Sequence, residues 1–148
     1  MDPELPKDFK EFLRLLRAHH VEYLLIGGWA VGYHGYPRAT EDLDVWISIS
    51  PSNAARVVEV LREFGFDVPE LTADLFLQEN RIVRMGVEPV RIEISTSISG
   101  VSFDECYRER LETTLDGEPV SLIALRDLKI NKSASGRAKD LADLDNLT

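Results

Sequence analysis

Two glycines and two aspartates at a set separation constrain this chain more than any other feature. Gly27-Gly28 stops the apolar run at residues 21–26, and after thirteen intervening residues Asp42 opens the run DLDVWISI. A short apolar run stopped by glycine reads as a buried strand. The segment WAVGYHG then reads as a short helix, broken by Gly35, Tyr36 and Pro37. If residues 42–49 form the next strand, side chains alternate between its faces. Leu43, Val45, Ile47 and Ile49 point one way; Asp42, Asp44, Trp46 and Ser48 point the other. Two carboxylates on one strand face repel each other unless something positive sits among them. The usual occupant is a divalent cation with oxygen ligands. The glycine pair, at a helix N-terminus, offers backbone N–H groups to an anion. One strand–helix–strand unit therefore presents a phosphate seat beside a metal seat.

A second strand decides whether a third carboxylate joins them. In VRIEIS, residues 90–95, Val90, Ile92 and Ile94 take one face while Arg91, Glu93 and Ser95 take the other. Pairing beside the aspartate strand with matching faces brings Glu93 to Asp42 and Asp44. A slip of one residue turns it away. The sequence leaves that register open.

The remaining elements follow from periodicity and stop signals. Residues 5–18 place Phe9, Phe12, Leu13, Leu15 and Leu16 at helical spacing, and His19-His20 reads as the polar end of that helix. Pro51-Ser52-Asn53 is a helix start and Gly65 the matching stop. Residues 75–77 and 82–85 read as strands, the latter joined to 90–95 by a turn at residues 86–89. Residues 102–111 read as a charged surface helix or turn, and Asp116-Gly117 as a turn between two short strands. Two further helices are expected, one through about Ser133 with Leu125 and Leu128 inward, the other at residues 137–147. There Asp140 and Asp143 read as solvent-side or helix-pairing residues; upstream, His34 reads as a packing or surface residue and Trp46 as a packing residue. The expected organisation is one domain over residues 1–148.

Charge and composition narrow the partners. Lys and Arg total 17 against 26 Asp and Glu, a net charge of −9, which argues against a broad nucleic-acid surface built of clustered cations. It leaves room for a polyphosphate held by a few basic residues. No apolar run reaches the roughly 20 residues of a membrane span, and the acidic first residues do not resemble a signal peptide. A cytoplasmic location is expected, and the lone Cys106 reads as structural or incidental. Arg38 and Thr40 stand just before the aspartates as candidate nucleotide-binding residues; an arginine there would neutralise the carboxylates or hold a phosphate, and reads equally as an ordinary loop arginine.

The combination of Ile26-Gly27-Gly28, the gap, and Asp42-Leu43-Asp44-Val45 resembles the signature of the nucleotidyltransferase superfamily with the DNA polymerase β-like fold. The wording RATEDLD and the closing KSASGRAKDLADLDNL resemble its small bacterial branch, which includes the nucleotidyltransferase toxins of abortive-infection systems. Glu93 stands where aspartate is commonest in the wider superfamily.

That resemblance implies an α/β (α+β) fold, a mixed sheet with helices packed on one face. It implies transfer of a nucleoside monophosphate from a nucleoside triphosphate to an acceptor hydroxyl, with release of pyrophosphate. Asp42 and Asp44 would hold two Mg²⁺ ions, Glu93 would complete the site, and Gly27 and Gly28 would admit the distal phosphates. Lys132 matches the lysine of the branch's closing helix and is the first choice to balance phosphate charge, ahead of Arg137, Lys129 and Arg38. The acceptor is left open among a tRNA end, a protein hydroxyl and a small molecule. A homodimer or a partner protein would supply acceptor specificity. The competing reading is a catalytically weak nucleotide-binding or protein-interaction module, half of a toxin–antitoxin pair.

Overall fold

The structure, a computed structural model, describes residues 4–37, 42–86 and 90–147. Helix α1 (Lys7–Ala18) buries Phe9, Phe12, Leu13 and Leu16 along one side. Strand β1 (Tyr23–Ile26) is buried throughout and runs directly into α2 (Gly27–Tyr33). Strand β2 (Asp42–Ile47) follows, then α3 (Pro51–Phe64). The start and stop signals of α3 act as expected. Ser50 caps it by accepting a hydrogen bond from the Asn53 N–H, and Gly65 ends it in the left-handed region at φ 117°.

The chain continues through β3 (Ile82–Met85), β4 (Arg91–Ser95), α4 (Phe103–Arg108), β5 (Leu111–Leu115), β6 (Glu118–Leu122), α5 (Leu125–Ser135) and α6 (Ala138–Asn146). The six strands form one mixed sheet in the order β3-β4-β2-β1-β6-β5. β2 runs antiparallel to β1 and parallel to β4. Leu43, Val45 and Ile47 of β2 join Ile92 and Ile94 of β4 and the inner faces of α1 and α3 in one connected core. The opposite face of β2 carries the aspartates.

Residues 75–77 do not form a strand. Residues Ala73–Phe76 make one 3₁₀ turn against α3, and Phe76 alone of the apolar triplet is fully buried. One buried ring satisfies that stretch, so it needs no strand partner. The turn joining β3 to β4 was expected at residues 86–89, and 87–89 lie outside the described residues. Trp46 is buried, its indole N–H donating to the Thr96 carbonyl at 3.3 Å and its ring edge-on to Phe103. It packs. Cys106 is likewise buried, and burial, then Asp127, pushes its thiol pKa up to about 12. At pH 7 it is a protonated, apolar filler.

Candidate active site

The register left open by the sequence places Glu93 beside Asp44. In the parallel pairing of β2 with β4, Asp42 lies opposite Arg91 and Asp44 opposite Glu93. Extended across the sheet, the row reads Ile26, Asp44, Glu93, Arg84. Asp42, Asp44, Glu93 and Arg84 line a cavity of about 540 Å³ with Gly27 and Gly28. Its opposite wall comes from Asn131, Lys132, Ser135, Arg137, Lys139 and Asp140 at the junction of α5 and α6.

Gly27 and Asp44 are fitted to each other. Gly27 takes φ 70°, and its α-carbon lies so close to the Asp44 carboxylate that a side chain has no room. This tight step lets β1 turn at once into α2 while the start of the helix remains beside the carboxylates.

The three acids are held differently. Asp42 is gripped by Arg91 through two contacts, Nε to Oδ1 at 3.1 Å and a second guanidinium nitrogen to Oδ2 at 2.9 Å. Glu93 accepts from Arg84 Nε at 2.8 Å, with Arg91 Nε farther off at 3.9 Å. Asp44 lies between them. Burial, then the hydrogen bond and charge of Glu93, then the charge of Asp42 raise its pKa from 3.8 to about 7, and Lys139 pulls the other way.

These donors suit a hard divalent cation. All are carboxylate oxygens, and Asp44 and Glu93 share a negative site that a cation would relieve. Among the described residues no three His, Cys, Asp or Glu side chains already converge as a cage. Mg²⁺ commonly takes one or two carboxylates and completes its shell with water and substrate phosphates. The arrangement fits that pattern, with Arg91 and Arg84 exchanged for the ion.

Lys132, the first choice to balance phosphate charge, already has carboxylate partners. It lines the cavity, yet it is buried, with Nζ 2.7 Å from Asp140 and 3.1 Å from Asp143. Asp140 and Asp143, expected as solvent-side or helix-pairing residues, are both only 2% exposed and pair α6 with α5 through Lys132. The reason is electrostatic. A buried ammonium requires paired carboxylates, and α6 turns Asp140 and Asp143 inward while leaving Leu141 exposed. Asp140 also accepts from Ser135 Oγ and from Arg137 Nε at 2.8 Å. Burial raises its pKa, but the hydrogen bonds from Lys132, Ser135 and Arg137 outweigh it and bring it to about 2.

Arg137 remains on the cavity rim with one edge on Asp140. Lys129 lies outside the lining. His34 donates from Nε2 to the Ile123 carbonyl at 2.8 Å, tying α2 to the end of β6, and so is structural. Arg38 and Thr40 lie outside the described residues. Lys139, which the sequence reading passed over, lines the cavity and is exposed. Its signal was its place between Arg137 and Asp140 in GRAKD.

Comparison with solved structures gives the class. The lincosamide antibiotic adenylyltransferase LnuA, lincomycin-bound, matches with a TM-score of 0.62 at 17% identity, covering 97% of this chain and 96% of that one. The antibiotic-resistance factor ANT(2'')-Ia matches at 0.61 and 10% identity, covering 95% and 80%. A candidate nucleotidyltransferase from Thermotoga maritima matches at 0.62 and 14% identity, covering 93% and 88%. The fold is that of the nucleotidyltransferases, a mixed sheet of the kind the signature implied. The chain itself belongs to the family described as "Nucleotidyltransferase of unknown function (DUF6036)", whose model matches residues 5–148. No curated protein matches the sequence. Among the described residues no helix is long and apolar enough to cross a membrane.

Proposed function

We propose that this protein transfers a nucleoside monophosphate from a nucleoside triphosphate to the hydroxyl of a small acceptor molecule, in a divalent-metal-dependent reaction. The observation that carries the reading is the alignment of Asp42, Asp44 and Glu93 on one sheet face beside Gly27. The acceptor oxygen forms a bond to the α-phosphorus, the bond to the β-phosphate oxygen breaks, and pyrophosphate leaves. Asp42 and Asp44 would hold the metal ions, and Glu93, which would complete that site, takes up the hydroxyl proton. Bound Mg²⁺ supplies charge neutralisation on the triphosphate and on the attacking oxygen. The backbone at Gly27 and Gly28 lets the phosphates approach without a side chain between.

Three observations support a small acceptor over an RNA end. The cavity, about 540 Å³, falls within the roughly 300–1,000 Å³ of small-ligand sites. The net charge of −9 supplies no broad basic surface. The structurally similar LnuA was solved with lincomycin, and ANT(2'')-Ia with adenylyl-2''-tobramycin.

The test is pyrophosphate release with Mg²⁺, each of the four nucleoside triphosphates and a panel of hydroxyl-bearing small molecules. Release with one acceptor class, lost in Asp42→Asn and Asp44→Asn, supports the reading. Release that persists in Asp44→Asn contradicts it. The arginine grip on Asp42 and Glu93 favours a second reading, a nucleotide- or protein-binding module that does not turn over. That module would give no release with any acceptor, and Asp44→Asn would leave its partner binding intact.

A further inference from the structure

A triphosphate brings several negative charges into a cavity already lined by Asp42, Asp44, Glu93 and Asp140, so some cation must meet its leaving portion. The lining holds four candidates: Arg84, Lys132, Arg137 and Lys139. Arg84 is engaged by Glu93 at 2.8 Å. Lys132 is buried between Asp140 and Asp143. Arg137 is joined to Asp140 at 2.8 Å. Among the described residues, Lys139 alone of the four has no ion pair or side-chain hydrogen bond.

Its position has no local explanation. Lys139 lies in the first turn of α6, where the helix dipole disfavours a cation. The carboxylate next to it in sequence, Asp140, already accepts from Lys132, Ser135 and Arg137. Lys139 is therefore an exposed cation lining the same cavity as the carboxylates, and its charge is felt at Asp44.

We infer that Lys139 binds the pyrophosphate portion of the incoming nucleotide, while Lys132 is a positioning residue that fixes the α5–α6 junction from which Lys139 projects. The assignment rests on the transferase reading and deepens it. Lys139 neutralises the β- and γ-phosphates and holds the charge that develops on the leaving pyrophosphate. A single ammonium with three rotatable donors suits such a group as a point charge.

The test is calorimetric binding of a non-hydrolysable ATP analogue and of AMP, each with Mg²⁺, to the wild-type chain and to Lys139→Met, Lys139→Arg and Lys7→Ala. Lys7 is an exposed lysine of α1 outside the cavity lining and controls for the loss of one positive charge. We expect Lys139→Met to weaken the triphosphate by roughly tenfold or more, the scale of a lost charged hydrogen bond. AMP affinity should change less than about twofold, Lys139→Arg should restore most of the loss, and Lys7→Ala should match wild type. Equal losses for AMP and the triphosphate, or no loss for either, overturn the assignment and leave the transferase reading standing. A wild-type chain that binds neither nucleotide overturns both.

Discussion

A methyl group on Gly27 would stand 2.2 Å from Asp44 Oδ2 and 2.8 Å from its Cβ and Cγ. The turn from β1 into α2 and the central carboxylate of the site are therefore mutually dependent. Gly27→Ala meets both this overlap and a left-handed φ, the latter alone costing about 1–2 kcal/mol. Its urea midpoint should fall and its nucleotide binding should be lost. Pairing it with Asp44→Gly should recover part of the stability and none of the binding. Additive stability losses in that double-mutant cycle would contradict the contact.

Asp44 makes the metal-free protein less stable as pH rises. Its folded pKa is about 7 against 3.8 for the free side chain. Between about pH 4 and pH 7 the folded chain keeps a proton that the unfolded chain has released, so stability is full below that window and falls across it. Asp44→Asn should flatten the slope and melt about 3–8 °C above wild type at pH 8 without divalent ions. Melting temperatures recorded from pH 4 to pH 8 check this, and parallel curves would refute it.

Removing Arg84 should favour metal binding. Its Nε occupies Glu93 Oε1 at 2.8 Å, and its side chain is 59% exposed, so its loss costs the fold little. Arg84→Gln should tighten Mg²⁺ or Mn²⁺ several-fold by titration calorimetry. Weaker binding would mean that Arg84 organises Glu93 rather than competing for it.

The buried network of Lys132, Asp140 and Asp143 should behave as a unit. Lys132→Met removes the buried ammonium from between two buried carboxylates, a loss of about 3–5 kcal/mol by analogy with other broken buried pairs. Asp140, held down to about 2, contributes stability that is complete above the ordinary aspartate range and is lost as pH falls through it toward 2. Chemical denaturation of Lys132→Met at pH 7, and of wild type from pH 5 to pH 2, measures both. A change under about 1 kcal/mol in Lys132→Met would contradict the network's structural role.

The sequence revealed most where neighbouring residues decide the outcome. Alternation along β2 put Asp42 and Asp44 on one face, Gly27-Gly28 marked the strand-to-helix step, and Pro51-Ser52-Asn53 and Gly65 bounded α3. It revealed less where distant segments decide. The placement of Glu93 depends on how β4 aligns with β2, which no local pattern encodes. The burial of Lys132 was not legible because α5 is only weakly amphipathic and its carboxylate partners lie on the next helix. α6 inverts the usual rule, burying Asp140 and Asp143 while exposing Leu141, because neutralising one buried ammonium outweighs covering one leucine. The triplet at residues 75–77 looked like a strand because three apolar residues suit a strand and a tight turn equally well.

The central claim is that the carboxylate row serves a metal-bound triphosphate. Titration calorimetry of a non-hydrolysable ATP analogue, with and without Mg²⁺, against wild type and Asp44→Asn tests it most directly. Binding to wild type is expected only when Mg²⁺ is present, with none to Asp44→Asn. Equal affinity with and without the metal, or an Asp44→Asn variant that binds like wild type, would contradict it.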